Sequence, residues 1–166
     1  MPLFTRMTLD EAFELLLNRK IIAGEFKQAS RRINKLKEDD WRLWFGRFLL
    51  SVRSDAENNR FTEAYMCLLE TENLIETSNN KSDKEEFLSL INNESLFLVF
   101  KFYYEATGIP SVALLLAHFY KNGWGVKADI NKAYEFAKDA AKMRKDEPIY
   151  LQAQENLNSI LLQISK

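Results

Sequence analysis

Apolar residues recur along the chain at intervals of three and four, the spacing that lines one face of an α-helix. The first such stretch covers about 8–22, where Phe13, Leu16 and Leu17 form a stripe. Thr8 and Glu11 have the spacing of a capping box at its start, hydroxyl and carboxylate each satisfying an orphan amide. A second helix is predicted over 26–36, with Ala29, Ile33 and Leu36 inward. A third covers 40–57 with Trp41, Trp44, Phe45, Phe48 and Val52, and a fourth covers 60–76 with Phe61, Ala64, Leu68 and Ile75. Polar residues 77–81 read as a linker. Ser82 and Glu85 repeat the capping-box spacing and open a fifth segment to about Ile91, which either continues into 94–107 or restarts there. Three more elements follow at 111–122, 130–143 and 148–164. The pattern thus predicts an all-α chain of about eight helices. The aromatic run from Glu94 to Glu105 is strand-like in composition, but its length and helical flanks make it a buried helix.

Proline and glycine punctuate this reading. Of three prolines, at 2, 110 and 148, none falls between residues 3 and 109. Pro110 and Pro148 sit where helices should begin, at positions that tolerate a missing N–H. Gly24, Gly108, Gly123 and Gly125 fall between periodic segments, where tight or left-handed turns are expected.

Two stretches repeat. Gly24-Glu25-Phe26-Lys27-Gln28-Ala29 is echoed by Asn59-Arg60-Phe61-Thr62-Glu63-Ala64, 35 residues on. That offset is close to the tetratricopeptide period of about 34 residues. A turn residue, an aromatic wedge and a small Ala would let paired helices approach closely. Further on the chain carries Ala113, Leu116, Ala117, Phe119, Tyr120, Gly123, Gly125, Val126, Asp129, Lys132, Ala133, Ala137, Ala140 and Ala141. In order and spacing this resembles the Sel-one-like repeat, a relative of the tetratricopeptide repeat, over about 30 residues. Gln152-Ala153-Gln154-Glu155-Asn156-Leu157 looks like the opening of the next copy. Ala117 stands where the family usually has Gly, and the Gly expected after Ala141 is absent.

The resemblance implies stacked antiparallel helix pairs, an α-solenoid, forming a single helical-repeat domain over 1–166. Within it, 1–80 would hold degenerate tetratricopeptide-like pairs, 81–108 connecting helices, and 109–166 the Sel-one-like repeat and a C-terminal helix. It also implies an adaptor or scaffold that holds a protein partner on a concave face, since stacked pairs leave an extended inner curve. The same size and family habit suit a bacterial, cytosolic immunity protein that occludes a toxin.

Composition narrows these readings. The 166 residues are 46% hydrophobic and 28% charged, a globular balance. Lys and Arg number 23 and Asp and Glu 24, a net charge of -1, without the excess of positive charge that drives nucleic-acid binding. A local patch from Arg31, Arg32, Lys35 and Lys37 with Arg42, Arg47 and Arg53 keeps a nucleic-acid-binding repeat as an alternative, although a solvated face is the simpler reading. Residues 1–10 do not read as a signal peptide, and no apolar run approaches the roughly 20 residues a membrane helix needs. With a single cysteine, these features point to a cytoplasmic protein.

Candidate chemistry is sparse. His118 is the only histidine, so no catalytic dyad or metal cluster is evident; no enzyme activity, cofactor or metal is expected. Cys67, beside Leu68 and Leu69, reads as an inert buried thiol. Asp39-Asp40 and Glu85-Glu86 read as helix N-terminal charge. Gly123-Trp124-Gly125 lacks the continuation of a phosphate loop and reads as the repeat's turn. Trp124 is there either a packing lid or an exposed anchor. The residues expected at a partner surface are Leu114, His118, Lys121, Trp124 and Arg53. Leu157, Ile160, Leu161 and Ile164 on the last helix suit either an end cap or a homodimer seam.

Overall fold

Side-chain and glycine caps set several of the helix boundaries. In the computed structural model, which describes residues 6–18, 23–53 and 60–166, the described residues form nine α-helices and no strand. They are α1 (Leu9–Asn18), α2 (Ala23–Ile33), α3 (Trp41–Arg53), α4 (Arg60–Ser78), α5 (Lys81–Ile91), α6 (Glu94–Thr107), α7 (Pro110–Asn122), α8 (Ile130–Ala140) and α9 (Tyr150–Ile164). The Thr8 box forms as expected: Glu11 N–H donates to Thr8 Oγ1 at 3.1 Å and Thr8 N–H donates to Glu11 Oε1 at 3.4 Å. Asp40, Asn93 and Asp129 each accept from amides of the following first turn. Asn93 separates α5 from α6, so the aromatic run is a helix in its own right. Pro110 takes the first turn of α7, and Pro148 lies in the turn before α9.

Several boundaries differ from expectation: α2 and α8 end early, at Ile33 and Ala140, and α9 starts at Tyr150, while the expected ends of the first and third helices, at 22 and 57, lie outside the described residues. Gly24 lies in the first turn of α2 and has no left-handed backbone, because the helix starts at Ala23 rather than Phe26. The predicted 77–81 linker shrinks to Asn79 and Asn80. The hydroxyls of Thr77 and Ser78 donate to Asn73 O and Ile75 O, and these bonds let two polar residues end α4. Asn79 then turns the chain at φ 54°, a region asparagine tolerates. Finally, α5 starts at Lys81, so Ser82 lies inside it.

Two compact units divide between Asn80 and Lys81. In the first, α1 packs on α2 and α3, α2 on α3, and α3 on α4. Its core joins Phe13, Phe45 and Phe48 through ring contacts of 5.4 and 6.0 Å. Gly46 is buried where α3 meets α2, and a Cβ there would lie 2.5 Å from Ile33 Cγ2. In the second unit α7 packs against α6, α8 and α9. Every residue from 111 to 120 is buried, as expected for a helix covered on all sides. Phe100 meets Phe119, and Tyr120 meets Phe97 and stacks on Phe136.

The Gly123-Trp124-Gly125 turn locks this second core. Both glycines are left-handed, at φ 70° and 68°. Gly125 N–H donates to Asn92 Oδ1 at 2.8 Å, and a Cβ at Gly125 would fall 2.2 Å from Asn93 O. Only a residue without a side chain brings this turn against the α5–α6 junction.

Candidate functional site

One groove in the first unit has a lining of mixed apolar and polar chemistry. It is a cavity of about 320 Å³ between α2 and α4, floored by α3. Helical spacing supplies its walls: Phe26 and Ser30 lie one turn apart on α2, with Asn34 a turn further on just past its end, and Arg60, Glu63 and Cys67 line up along α4. Arg47, Leu50 and Ser51 come from α3.

Arg47 is the half-buried cation of that floor. Its Nε–H donates to Asn34 Oδ1 at 3.0 Å, and its guanidinium lies 5.0 Å from the centre of the Trp44 ring. Asn34 is itself held, its Nδ2 donating to Ser30 O at 2.9 Å and to Ser30 Oγ at 3.2 Å. Trp44 is fixed by its Nε1–H donating to Glu38 O at 2.8 Å. Among the described residues no carboxylate pairs with Arg47, whereas Arg60 at the rim pairs with Glu63 at 3.2 Å. Burial pushes the Cys67 thiol up to about 11, against a smaller opposing pull from Arg47, so the groove holds a thiol and not a thiolate.

A second hollow, of about 490 Å³, lies between α1 and α2. Met7 and Leu15 give it apolar surface, and Asp10, Glu11, Glu14 and Glu25 make it acidic. Glu11 is already engaged in the α1 cap.

Of the five residues expected at a partner surface, Arg53 belongs to the first unit and Leu114, His118, Lys121 and Trp124 to the second. Leu114 has no exposed area and belongs to the core of the second unit. Trp124 is 6% exposed and takes the packing alternative: its ring meets Phe87, His118 and Phe119 at 5.6, 5.3 and 5.5 Å. His118 is buried beneath that ring. Lys121 is half-buried, its Nζ donating to Ser159 Oγ at 3.2 Å and tying α7 to α9. Arg53, in the first unit, donates from Nε to Leu16 O at 2.6 Å and from a terminal nitrogen to Leu17 O at 2.8 Å. It satisfies the last-turn carbonyls of α1, a structural task.

The other residues singled out in the sequence are also placed. Arg42 pairs with Asp40 and lies over Trp41. On the last helix Ile160 is fully buried, Leu157 is half-buried, and Leu161 and Ile164 are exposed. Among the described residues no group of three His, Cys, Asp or Glu is placed to hold a metal, and no helix is long and apolar enough to cross a membrane.

Sequence reasoning passed over the Arg47–Asn34 pair because its partners are 13 residues apart on different helices. Arg47 was visible only as one of several basic residues. Compared with family models, with curated proteins and with solved structures, the chain matches none of them.

Proposed function

We propose that this chain is a protein-binding helical-repeat adaptor that docks a segment of a partner protein in the α2–α3–α4 groove. The observation that carries this reading is the groove itself. Apolar surface from Phe26 and Leu50 lies beside polar groups held in fixed positions, the mixture that binds a peptide with both affinity and orientation. In this reading the second unit is a Sel-one-like repeat that serves as a rigid scaffold. Its support is the left-handed geometry of Gly123 and Gly125, together with the complete burial of Ala113, Ala117, Ala133, Ala137 and Ala140, where the repeat pattern needs small residues.

Affinity purification from the source cell with the wild-type chain and with Ser30→Trp, which fills the groove, tests the reading. A protein retained by the wild type and lost with Ser30→Trp is expected, with the same difference when that protein is purified and titrated. Equal retention by both chains, or none by either, refutes the groove as the docking site.

A further inference from the structure

Resting on that reading, we infer that the docked segment presents an acidic side chain to Arg47, so that the groove selects an Asp- or Glu-bearing peptide. The arginines of α3 differ in what engages them. Arg42 is paired with Asp40, and Arg53 is committed to two carbonyls of α1. Arg47 uses only its Nε, toward a neutral amide. Its terminal nitrogens meet no carboxylate among the described residues, although the side chain is half-buried and lines a groove.

A partly desolvated cation with no carboxylate in contact is a receptor for one, because an incoming carboxylate is bound without first breaking an existing ion pair. The guanidinium is also held in place before binding. Asn34 fixes one edge and Trp44 covers one face, and both of these groups are themselves hydrogen-bonded to backbone carbonyls. A fixed fork suits the two oxygens of a carboxylate and loses little freedom when it binds. Phe26 and Leu50 then contact the apolar residues flanking the acidic one.

The same facts disfavour a nucleic acid. Several phosphates must be neutralised together for useful affinity. Here Arg60 is neutralised by Glu63, and one unpaired cation remains in the groove.

A random dodecapeptide display library panned against the full chain supplies the probes, and calorimetry with the selected peptides supplies the measurement. The expected peptides carry an Asp or Glu beside apolar residues and perturb the amide signals of Ser30, Leu50 and Cys67. Changing that acidic residue to its amide should weaken binding about tenfold to a hundredfold. Arg47→Gln should cost the acidic peptide a similar factor and the amide peptide almost nothing, and Arg47→Lys should fall between. Unchanged amide spectra away from the groove show that these variants stay folded. Groove-seated peptides without an acidic residue, or with affinity indifferent to Arg47→Gln, overturn the inference and leave the groove reading standing. If no selected peptide perturbs the groove, both fail. Binding of a single-stranded oligonucleotide through Arg47, with affinity falling steeply as salt rises, overturns the inference in favour of phosphate recognition.

Discussion

The turn at Gly125 allows a sharp test of how the second unit is held together. Gly108 and Gly125 both adopt left-handed backbone, at φ 65° and 68°, but their surroundings are opposite. Around Gly108 nothing lies within 4 Å of where a Cβ would stand; at Gly125 that position is 2.2 Å from Asn93 O and 2.7 Å from Asn93 C. Gly108→Ala should therefore cost only the left-handed strain of an L-residue, about 1–2 kcal/mol. Gly125→Ala adds the displacement of Asn93, which caps α6 by accepting from Leu96 N–H at 2.9 Å, a cap worth about 1 kcal/mol. It also pulls Gly125 N–H from Asn92 Oδ1, about 0.5–1.5 kcal/mol more. The total is about 2.5–4.5 kcal/mol, a large fraction of the roughly 5–15 kcal/mol that holds a whole domain folded.

Tryptophan fluorescence can follow this unit alone. Trp41 and Trp44 belong to α3, so in a Trp41→Phe, Trp44→Phe background Trp124 is the only tryptophan. Urea titrations on the Trp124 signal, at constant slope, should place Gly125→Ala well below Gly108→Ala. Equal losses for the two variants would show that backbone strain alone matters and that the close approach to Asn93 is not a packing constraint.

Three further outcomes are expected. Gly46→Ala should destabilise the first unit by about 1–3 kcal/mol, seen as a lower urea midpoint on the Trp41 and Trp44 signals, because fully buried Ile33 has no room to retreat. Arg53→Met should cost about 1.5–3 kcal/mol on the same signals, since the carbonyls of Leu16 and Leu17 lose a charged donor; an unchanged midpoint would remove the capping role. Because burial lifts the folded Cys67 pKa to about 11, its contribution is fully present below the unfolded thiol value near pH 9 and is lost as pH rises through about 11. Urea midpoints at pH 8 and pH 10 should therefore fall further apart in the wild type than in Cys67→Ala.

The helices were legible because burial and backbone demand leave local marks. The stripe of Phe13, Leu16 and Leu17, the Thr8–Glu11 box and the left-handed glycines at 108, 123 and 125 each follow from a few neighbouring residues. The errors arose where local marks compete. Thr77 and Ser78 look like linker, yet their hydroxyls can bond back to the preceding turn and extend α4 to Ser78. Gly24 looks like a turn, yet the first turn of a helix accepts glycine. Gly46 carried no sign of its importance, since its need is set by Ile33 on another helix.

The candidate site is harder to read for the same reason, and the α3 arginines show why. Arg42, Arg47 and Arg53 are identical in sequence terms: each lies on one amphipathic helix, near aromatic residues, in a run of positive charge. What separates them is what each meets. Arg42 finds its carboxylate two residues away, a pairing the sequence could have shown. Arg53 meets carbonyls 36 and 37 residues back, and Arg47 meets an amide 13 residues back. Local pattern therefore overcounts free positive charge, grouping as one basic patch cations already committed to the fold. Which cation keeps uncommitted donors is a property of the tertiary structure. Arg53, singled out from sequence as a partner contact, is engaged at its Nε and a terminal nitrogen in capping α1, whereas among the described residues Arg47 hydrogen-bonds through its Nε alone.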